Sequence, residues 1–579
     1  MSTPRHSAAG DSMLLMAIAA ALGLGLGVWT WGGVAGVLFG GGWPRIGSGQ
    51  LPEVIVRIPD RLGDPSAAWP ATVRHELPGP AGFYASLVLL GAGGALAVAG
   101  ARRTGVMTGL RLRSGGARWA TQSELRPLHA RARAGRLALG RFGGRLLYAE
   151  QRHALVAFGP PQSGKSAGLA VPALLEWDGP AVASSIKTDL LAATATRRRE
   201  LGRVFVFDPF ELSGVSAQTW SPLHTARTWD GALEVAWRLA AAGELDQRGV
   251  EGGDFWAIAA EQRLAPLLYA AARTDAGMGA VVRWAYGQGS RELYEAISRL
   301  TGSASDEAEL EDAHAAYDAV RAFEAQADRT RSSIEATAQG LLRAYRFARV
   351  LRSAHGGEIT ADALLDQPAT LYLIGDAKAS KLLRPIFLAL LSEVVDRAYE
   401  RATLAGGRLG LPLLLCLDEA GNVAPLPNLA EVASTAPSHN IQLVSIFHDL
   451  AQARSRYGRQ AETVVNSHRA RMLLPGVADL DTLRYFSGLA GEEDATELTR
   501  TSGAGGRTRT TGIRRRPLVA PEALRQLDSG HALLLYGRIA PAQVKLRMWF
   551  ADRRLRRLAA GGRGPARQER PPWMKGAQP

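Results

Sequence analysis

The sequence predicts an α/β fold built on a mostly parallel sheet, and three observations carry that expectation. Seven short apolar runs, at 154–158, 181–186, 203–208, 369–375, 411–419, 441–447 and 531–537, alternate with longer helical patterns, as strands buried on both faces do when helices form the crossovers. The first run leads directly into GPPQSGKS and a helix-compatible AGLAVPALLEW, a strand, loop, helix unit. The run LPLLLCLDEAGN ends on two adjacent acids, Asp418 and Glu419, where a strand gives way to a loop.

The elements follow in chain order. The chain has 579 residues, of which 46% are apolar, more than one compact domain usually holds. Residues 1–12 read as a cytoplasmic tail. From Ser12 to Pro44 no residue is charged, and Leu77 to Ala101 is a second charge-free run; about 20 apolar residues suffice for a helix to cross a bilayer. Residues 13–101 are therefore expected to form a membrane anchor of two transmembrane helices with an external loop at 45–76. The first run is too long for the apolar region of a signal peptide. Orientation follows from Arg102, Arg103, Arg111, Arg113 and Arg118 after the second run, against four arginines balanced by four acids in 45–76, which puts both termini in the cytoplasm. Gly32, Gly36 and Gly40 recur every fourth residue, a smooth stripe where another helix would approach closely.

Residues 102–150 read as a basic juxtamembrane segment. From Arg102 to Arg145 eleven arginines stand against one acid, Glu124, in a chain of formal charge +14 with six lysines; such a segment suits an anionic inner leaflet or nucleic acid. The lone cysteine, Cys416, lies inside an apolar run and reads as a buried thiol, which excludes a disulfide framework or a cysteine metal site within one chain. A nucleotide-binding domain is expected over 151–225 and 345–550. It is interrupted at 226–344 by an alanine-rich all-helical insertion in which Pro266 should kink any helix that contains it. After Asp552 the chain turns basic and rich in Gly and Pro, so 551–579 reads as a disordered tail.

Gly159, Pro160, Pro161, Gln162, Ser163, Gly164, Lys165 and Ser166 match the pattern GxxxxGK[ST]. The spacing lets backbone N–H groups wrap the phosphates of ATP while the next helix turns its positive end toward them. Lys165 would reach the β and γ phosphates and the Ser166 hydroxyl would hold Mg²⁺. Asp418 is the expected acid on the metal side, and Glu419 the base that polarises water, so the pair favours hydrolysis over simple binding.

In order, GPPQSGKS, SSIKTDLL with Lys187, VFVFDPF with Asp208 and Pro209, WSPL from Trp220, FWAIAAEQRLAPLLYAAA and LDEAGN resemble the VirD4/TraG-type coupling proteins of type IV secretion and conjugative DNA transfer. The resemblance runs from about residue 150 to 550 and extends to the two N-terminal spans. It implies a RecA-like P-loop NTPase domain with an inserted all-helical domain, assembled as a homo-hexameric ring on the bacterial inner membrane with most of the chain cytoplasmic. ATP hydrolysis would then drive transfer of single-stranded DNA with its relaxase, or of protein effectors, into a secretion channel. Two positions depart from that family. His448 stands in SIFHDLAQ where members carry a glutamine that senses the γ-phosphate, and as its replacement would bring a residue that titrates near neutrality. Pro437 stands where many members have an arginine that reaches a neighbouring subunit's nucleotide, leaving Arg469 and Arg471, just after Asn466, as candidates. The rival readings are a non-hydrolysing receptor whose nucleotide site only stabilises assembly, and a DNA translocase of FtsK type.

Overall fold

The structure, a computed structural model, describes the backbone of residues 8–47, 49–103, 116–129, 135–151, 153–247, 253–503 and 506–561. The chain forms two compact units, 1–114 and 115–579. In the first, helices Ala8–Phe39 and Pro80–Arg103 pack along each other. Between them 45–76 is a folded connector containing the helix Leu51–Arg57, with Trp69, Val54, Val73 and Phe83 sharing a small core. The glycine stripe receives this connector and no second helix: a Cβ on Gly36 would stand 2.1 Å from Gly42 O and one on Gly40 2.3 Å from Glu76 O. Among the described residues no helix is long and apolar enough to cross a membrane; the side chains of 13–23 and 94–101, which belong to the two expected spans, lie outside the described residues.

The second unit is organised by an eleven-stranded mixed sheet. Its strands, with a separate pair counted in sequence, are β1 Ala138–Phe142, β2 Arg145–Tyr148, β3 Leu155–Phe158, β4 Ala181–Ser185, β5 Val204–Phe207, β6 Thr370–Ile374, β7 Leu413–Leu417, β8 Ile441–Phe447, β9 Ala470–Leu473, β10 Glu492–Gly503, β11 Gly506–Pro517, β12 His531–Tyr536 and β13 Ala542–Lys545. The spatial order is β2-β1-β13-β12-β9-β3-β8-β7-β4-β6-β5. From β9 to β5 all neighbours run parallel, whereas β12, β13, β1 and β2 extend the sheet antiparallel. All seven apolar runs are strands, but the last of them, β12, is antiparallel. Residues 138–148, read from sequence with the basic segment, are sheet strands at the edge.

Both faces of the sheet are covered, as alternate residues of β3 show: Val156 and Phe158 join the core under helix Ala377–Leu404, while Leu155 and Ala157 join the core under the helix that follows the P-loop. Between β5 and β6 the described chain is helical, with Trp229–Gln247, Gly253–Arg273, Gly277–Ala285, Ser290–Ser303, Glu307–Glu324 and Asp328–Leu341. These helices share one continuous core with the sheet face. The helix Gly253–Arg273 continues through Pro266, flanked by Leu264, Leu267 and Leu268, which are fully buried. The start of the basic tail is also ordered: Arg553–Ala559 is a helix that buries Leu555, and 562–579 lie outside the described residues. β10 and β11 form a second, two-stranded sheet to which no expectation from sequence corresponds.

Candidate active site

At the carboxyl edge of the parallel strands, β8 lies between β3 and β7. That order brings the loop 159–166 after β3, the acids after β7 and His448 after β8 to one place, where ligands of open α/β sheets collect. The loop is tied to its neighbour by Gly159 N–H donating to Phe447 O at 3.0 Å. Gly164 has φ +89°, a backbone state that favours glycine, and a Cβ there would stand 2.5 Å from the Met548 methyl carbon. The helix after the loop opens with a π turn, in which Val171 N–H reaches Ser166 O. Pro172 has no N–H to give and its ring crowds the carbonyl four residues back, which a wider first turn accommodates.

Ser166 Oγ donates to Asp418 Oδ2 at 2.5 Å. The other oxygen, Asp418 Oδ1, is buried without a hydrogen-bond partner. Burial pushes the Asp418 carboxyl up to about 6 despite the Ser166 hydrogen bond and the Lys165 charge that oppose the shift. An orphaned carboxylate oxygen beside a hydroxyl is a fitting pair of hard donors for Mg²⁺, which takes few protein ligands and completes its shell with phosphate and water. Consistent with that division, no group of three or more His, Cys, Asp or Glu among the described residues is arranged to hold a metal alone.

Lys165 is 6% exposed. Its Nζ donates to Gly159 O at 3.3 Å and stands 3.8 Å from Glu419 Oε1. Burial pulls its ammonium below the usual range, while Glu419 and Asp418 hold it up. Glu419 has φ +65°, a strained state for a residue with a Cβ, fixed by Asn422 N–H donating to Glu419 O and Ala420 N–H to Ile446 O. This turn aims the carboxylate back across the strand ends. Asn422 Nδ2 donates to Oε2 at 2.9 Å, and His448 Nε2 lies 3.4 Å from Oε1. Burial would raise this carboxyl, but His448, Asn422 and Lys165 together outweigh it and leave it below its usual value. A buried ionised glutamate facing a phosphate loop can accept a proton from water.

Lys165, Ser166, Asp418, Glu419 and His448 are thus brought together. The arginine candidates are not. Arg469 lies over the Tyr536 ring and pairs with Glu150, and Arg471 donates to Val465 O and Asn466 O. Both sit at the amino end of β9, away from the loop, and Pro437 is buried just before β8. Asp208 accepts from Ser213 N–H at 2.6 Å to close the turn after β5, and Trp220 Nε1 donates to Glu393; these two residues shape the scaffold. Sequence reasoning missed Asn422 and Gln452. Gln452 Oε1 accepts from His448 N–H at 2.8 Å, so a glutamine does stand at this corner, four residues beyond the histidine. It also missed the segment after β13, where Trp549 N–H donates to Ala167 O and buried Arg547 pairs with Glu176, at the end of the P-loop helix, at 2.8 Å.

Comparisons with known proteins agree with this architecture. Conjugal transfer protein TraG of Escherichia coli is 25% identical over 393 residues, covering 64% of this chain and 60% of TraG. Protein VirD4 of Rhizobium rhizogenes is 23% identical over 468 residues, 77% of this chain and 66% of VirD4. The chain spans about three fifths of the length of the TraG relative. Among solved structures, the bacterial conjugative coupling protein TrwB lacking its N-terminal segment shares the fold at a TM-score of 0.55 and 18% identity, covering 75% of this chain and 93% of that one. TrwB in complex with ADP and Mg²⁺ superposes at 0.54 and 16% identity over 75% and 94% of the two chains. The sequence profile described as type IV secretory system conjugative DNA transfer matches residues 118–570, and the chain belongs to that family.

Proposed function

We propose that the protein is a membrane-anchored ATPase that couples a DNA or nucleoprotein substrate to a type IV secretion or conjugation channel. The observation that carries the ATPase reading is Glu419, held ionised in a left-handed turn with its carboxylate 3.8 Å from Lys165. A site that only bound nucleotide would have no use for that strain. TrwB was crystallised with ADP and Mg²⁺ and with a non-hydrolysable ATP analogue, which supports the same ligands here.

In this mechanism the loop N–H groups from Gly159 to Ser166 cradle the phosphates, and Lys165 leaves Glu419 to neutralise the transferring phosphoryl group. Ser166 and Asp418 would hold Mg²⁺, which supplies charge neutralisation at the phosphate oxygens when bound. Glu419, released from Lys165, accepts the proton of the attacking water while Asn422 orients it. His448 donates from Nε2 to the γ-phosphate side, the role that the family resemblance implies for a glutamine at this position.

The anchor reading is supported by Leu26, Val37 and Val88, which are 62%, 57% and 71% exposed on the two N-terminal helices; apolar surface of that kind suits lipid. Homo-hexameric assembly, an inner-membrane location, and single-stranded DNA with its relaxase, or protein effectors, as cargo complete the proposal. The test is Lys165→Ala, which should abolish ATP turnover and cargo transfer while membrane insertion persists. Undiminished transfer at normal expression would rule out the motor and favour a nucleotide-stabilised receptor.

A further inference from the structure

We propose that the two-stranded ribbon formed by β10 and β11 is the element that grips nucleic acid, a nonspecific contact to the phosphate backbone of single-stranded DNA; the inference rests on the DNA-transfer reading above and assigns it a surface. Twelve residue pairs run in unbroken antiparallel register from Glu492↔Pro517 to Gly503↔Gly506, a ribbon about 37 Å long at about 3.4 Å per residue. It belongs to no larger sheet among the described residues. A lone two-stranded ribbon is marginal in water, so one of this length needs a partner.

Its composition identifies the partner. Residues 498–521 carry six arginines and no acid. At the root the arginines are matched: Arg516 pairs with Glu493 at 2.8 Å and Arg515 with Asp494 at 3.6 Å. Farther out the register sets Arg500 opposite Arg509, Ser502 opposite Arg507, and Thr499 and Thr501 opposite Thr510 and Thr508. Like charges directly opposite each other destabilise a ribbon, and a bound polyanion would offset them. Arginine and hydroxyl side chains are the usual donors to phosphate oxygens, and the two large apolar residues between 498 and 517, Leu498 and Ile513, are too few for a lipid surface or an apolar protein interface.

The root connects this grip to the nucleotide site. The ribbon grows from helix Leu480–Ala490, to which it is tied by Leu518 N–H donating to Gly491 O and Ser487 Oγ donating to Val519 O. On that helix Phe486 lies edge-on to Phe158, the last residue before the P-loop, at 5.7 Å. Thr482 Oγ accepts from Leu450 N–H, two residues past His448, at 2.8 Å. A load on the ribbon therefore reaches both the P-loop strand and the loop that carries His448.

The experiment uses the full chain in detergent micelles, a fluorescent single-stranded 30-mer, and anisotropy titrations across potassium chloride concentrations, with Arg500→Gln/Arg507→Gln/Arg509→Gln and the corresponding triple lysine variant. Each phosphate contact to a single strand contributes about 0.7 to the slope of log affinity against log salt. The glutamine triple should therefore bind more weakly and lower the slope by about 2, keep its ATP turnover without DNA, and lose stimulation by DNA. The lysine triple should retain the wild-type slope, which separates charge from folding. A glutamine triple with wild-type affinity and slope overturns the assignment. So does one that changes only sedimentation, which would make the ribbon a contact between copies of the chain. A wild type without affinity for the strand overturns the DNA-transfer reading as well, so the two failures are distinguishable.

Discussion

Acid should weaken the scaffold under the active site through His468, a residue that takes no part in the chemistry. Its ring is fully buried, with Nδ1 bonded to Val464 O at 2.7 Å and Nε2 to Ser445 Oγ, in β8, at 3.0 Å. Burial pulls its pKa from 6.5 down to about 4, outweighing the hydrogen bond to Val464 that acts the other way. Between those values the unfolded chain binds a proton that the folded chain refuses, so stability falls as pH drops from 6.5 toward 4 and levels off below. The full difference is about 3 kcal/mol at about 1.36 kcal/mol per pH unit, and about 2 kcal/mol of it is lost by pH 5. The substitution His468→Gln keeps a donor and an acceptor and cannot take up the proton. Urea denaturation followed by tryptophan emission at pH 7.5 and pH 5 should find the variant less stable than wild type at the higher pH and gaining on it by about 2 kcal/mol at the lower. Parallel pH profiles would refute the reasoning. The effect is on the fold and not on turnover, so it is distinct from any pH response of His448.

Glu419→Gln should lower ATP turnover by about 10²- to 10⁴-fold, with ATP binding, read by a fluorescent analogue, held within a few-fold. His448→Ala should slow turnover more than it weakens binding, and His448→Gln should recover much of the rate; wild-type kinetics in the alanine variant would remove His448 from the site. For topology, single cysteines at Gly49 and Arg57, both exposed, should react with an impermeant reagent on whole cells and one at Ser114 should not; the reverse pattern would sink the two-span orientation. Ser66 would be a poor reporter because it is 7% exposed and its hydroxyl donates to Asp64. Replacing 226–344 with a relative's helical insertion should redirect cargo choice, and a folded, ATP-hydrolysing chimera that keeps its original cargo would put recognition elsewhere.

The parallel half of the fold was legible because its strands are continuous apolar runs, buried on both faces. The strands that escaped notice are short or one-sided: β13 alternates buried and exposed residues over four positions, and β9 is interrupted by Arg471. β10 and β11 escaped for the opposite reason: apart from Ala495, Leu498 and Ile513 they carry no apolar pattern that a core would impose. At the site, the P-loop and the two acids follow local spacing rules and could be read directly. Asn422 stood in view within LDEAGN, but its role depends on the left-handed turn at Glu419, which spacing does not encode. The Gly32, Gly36, Gly40 stripe was read as a place for another helix and is instead met by Trp69, Gly42 and Glu76, because periodicity cannot say whether helix or loop fills such a surface.

The strap after β13 bears on how the protein is made. Met548 and Trp549 lie on the loop and first helical turn of the P-loop, and β13 pairs with β1, so the ends of the second unit close on each other around residues 159–168. A ribosome adding about 5 to 20 residues per second exposes Ser166 some 20 to 80 s before it exposes Phe550. Throughout that interval both N-terminal helices have already left the ribosome while the loop 159–166 still lacks its backing. The order of synthesis thus separates the first unit from the second in time, and the surroundings of the P-loop are completed only when nearly the whole chain has emerged.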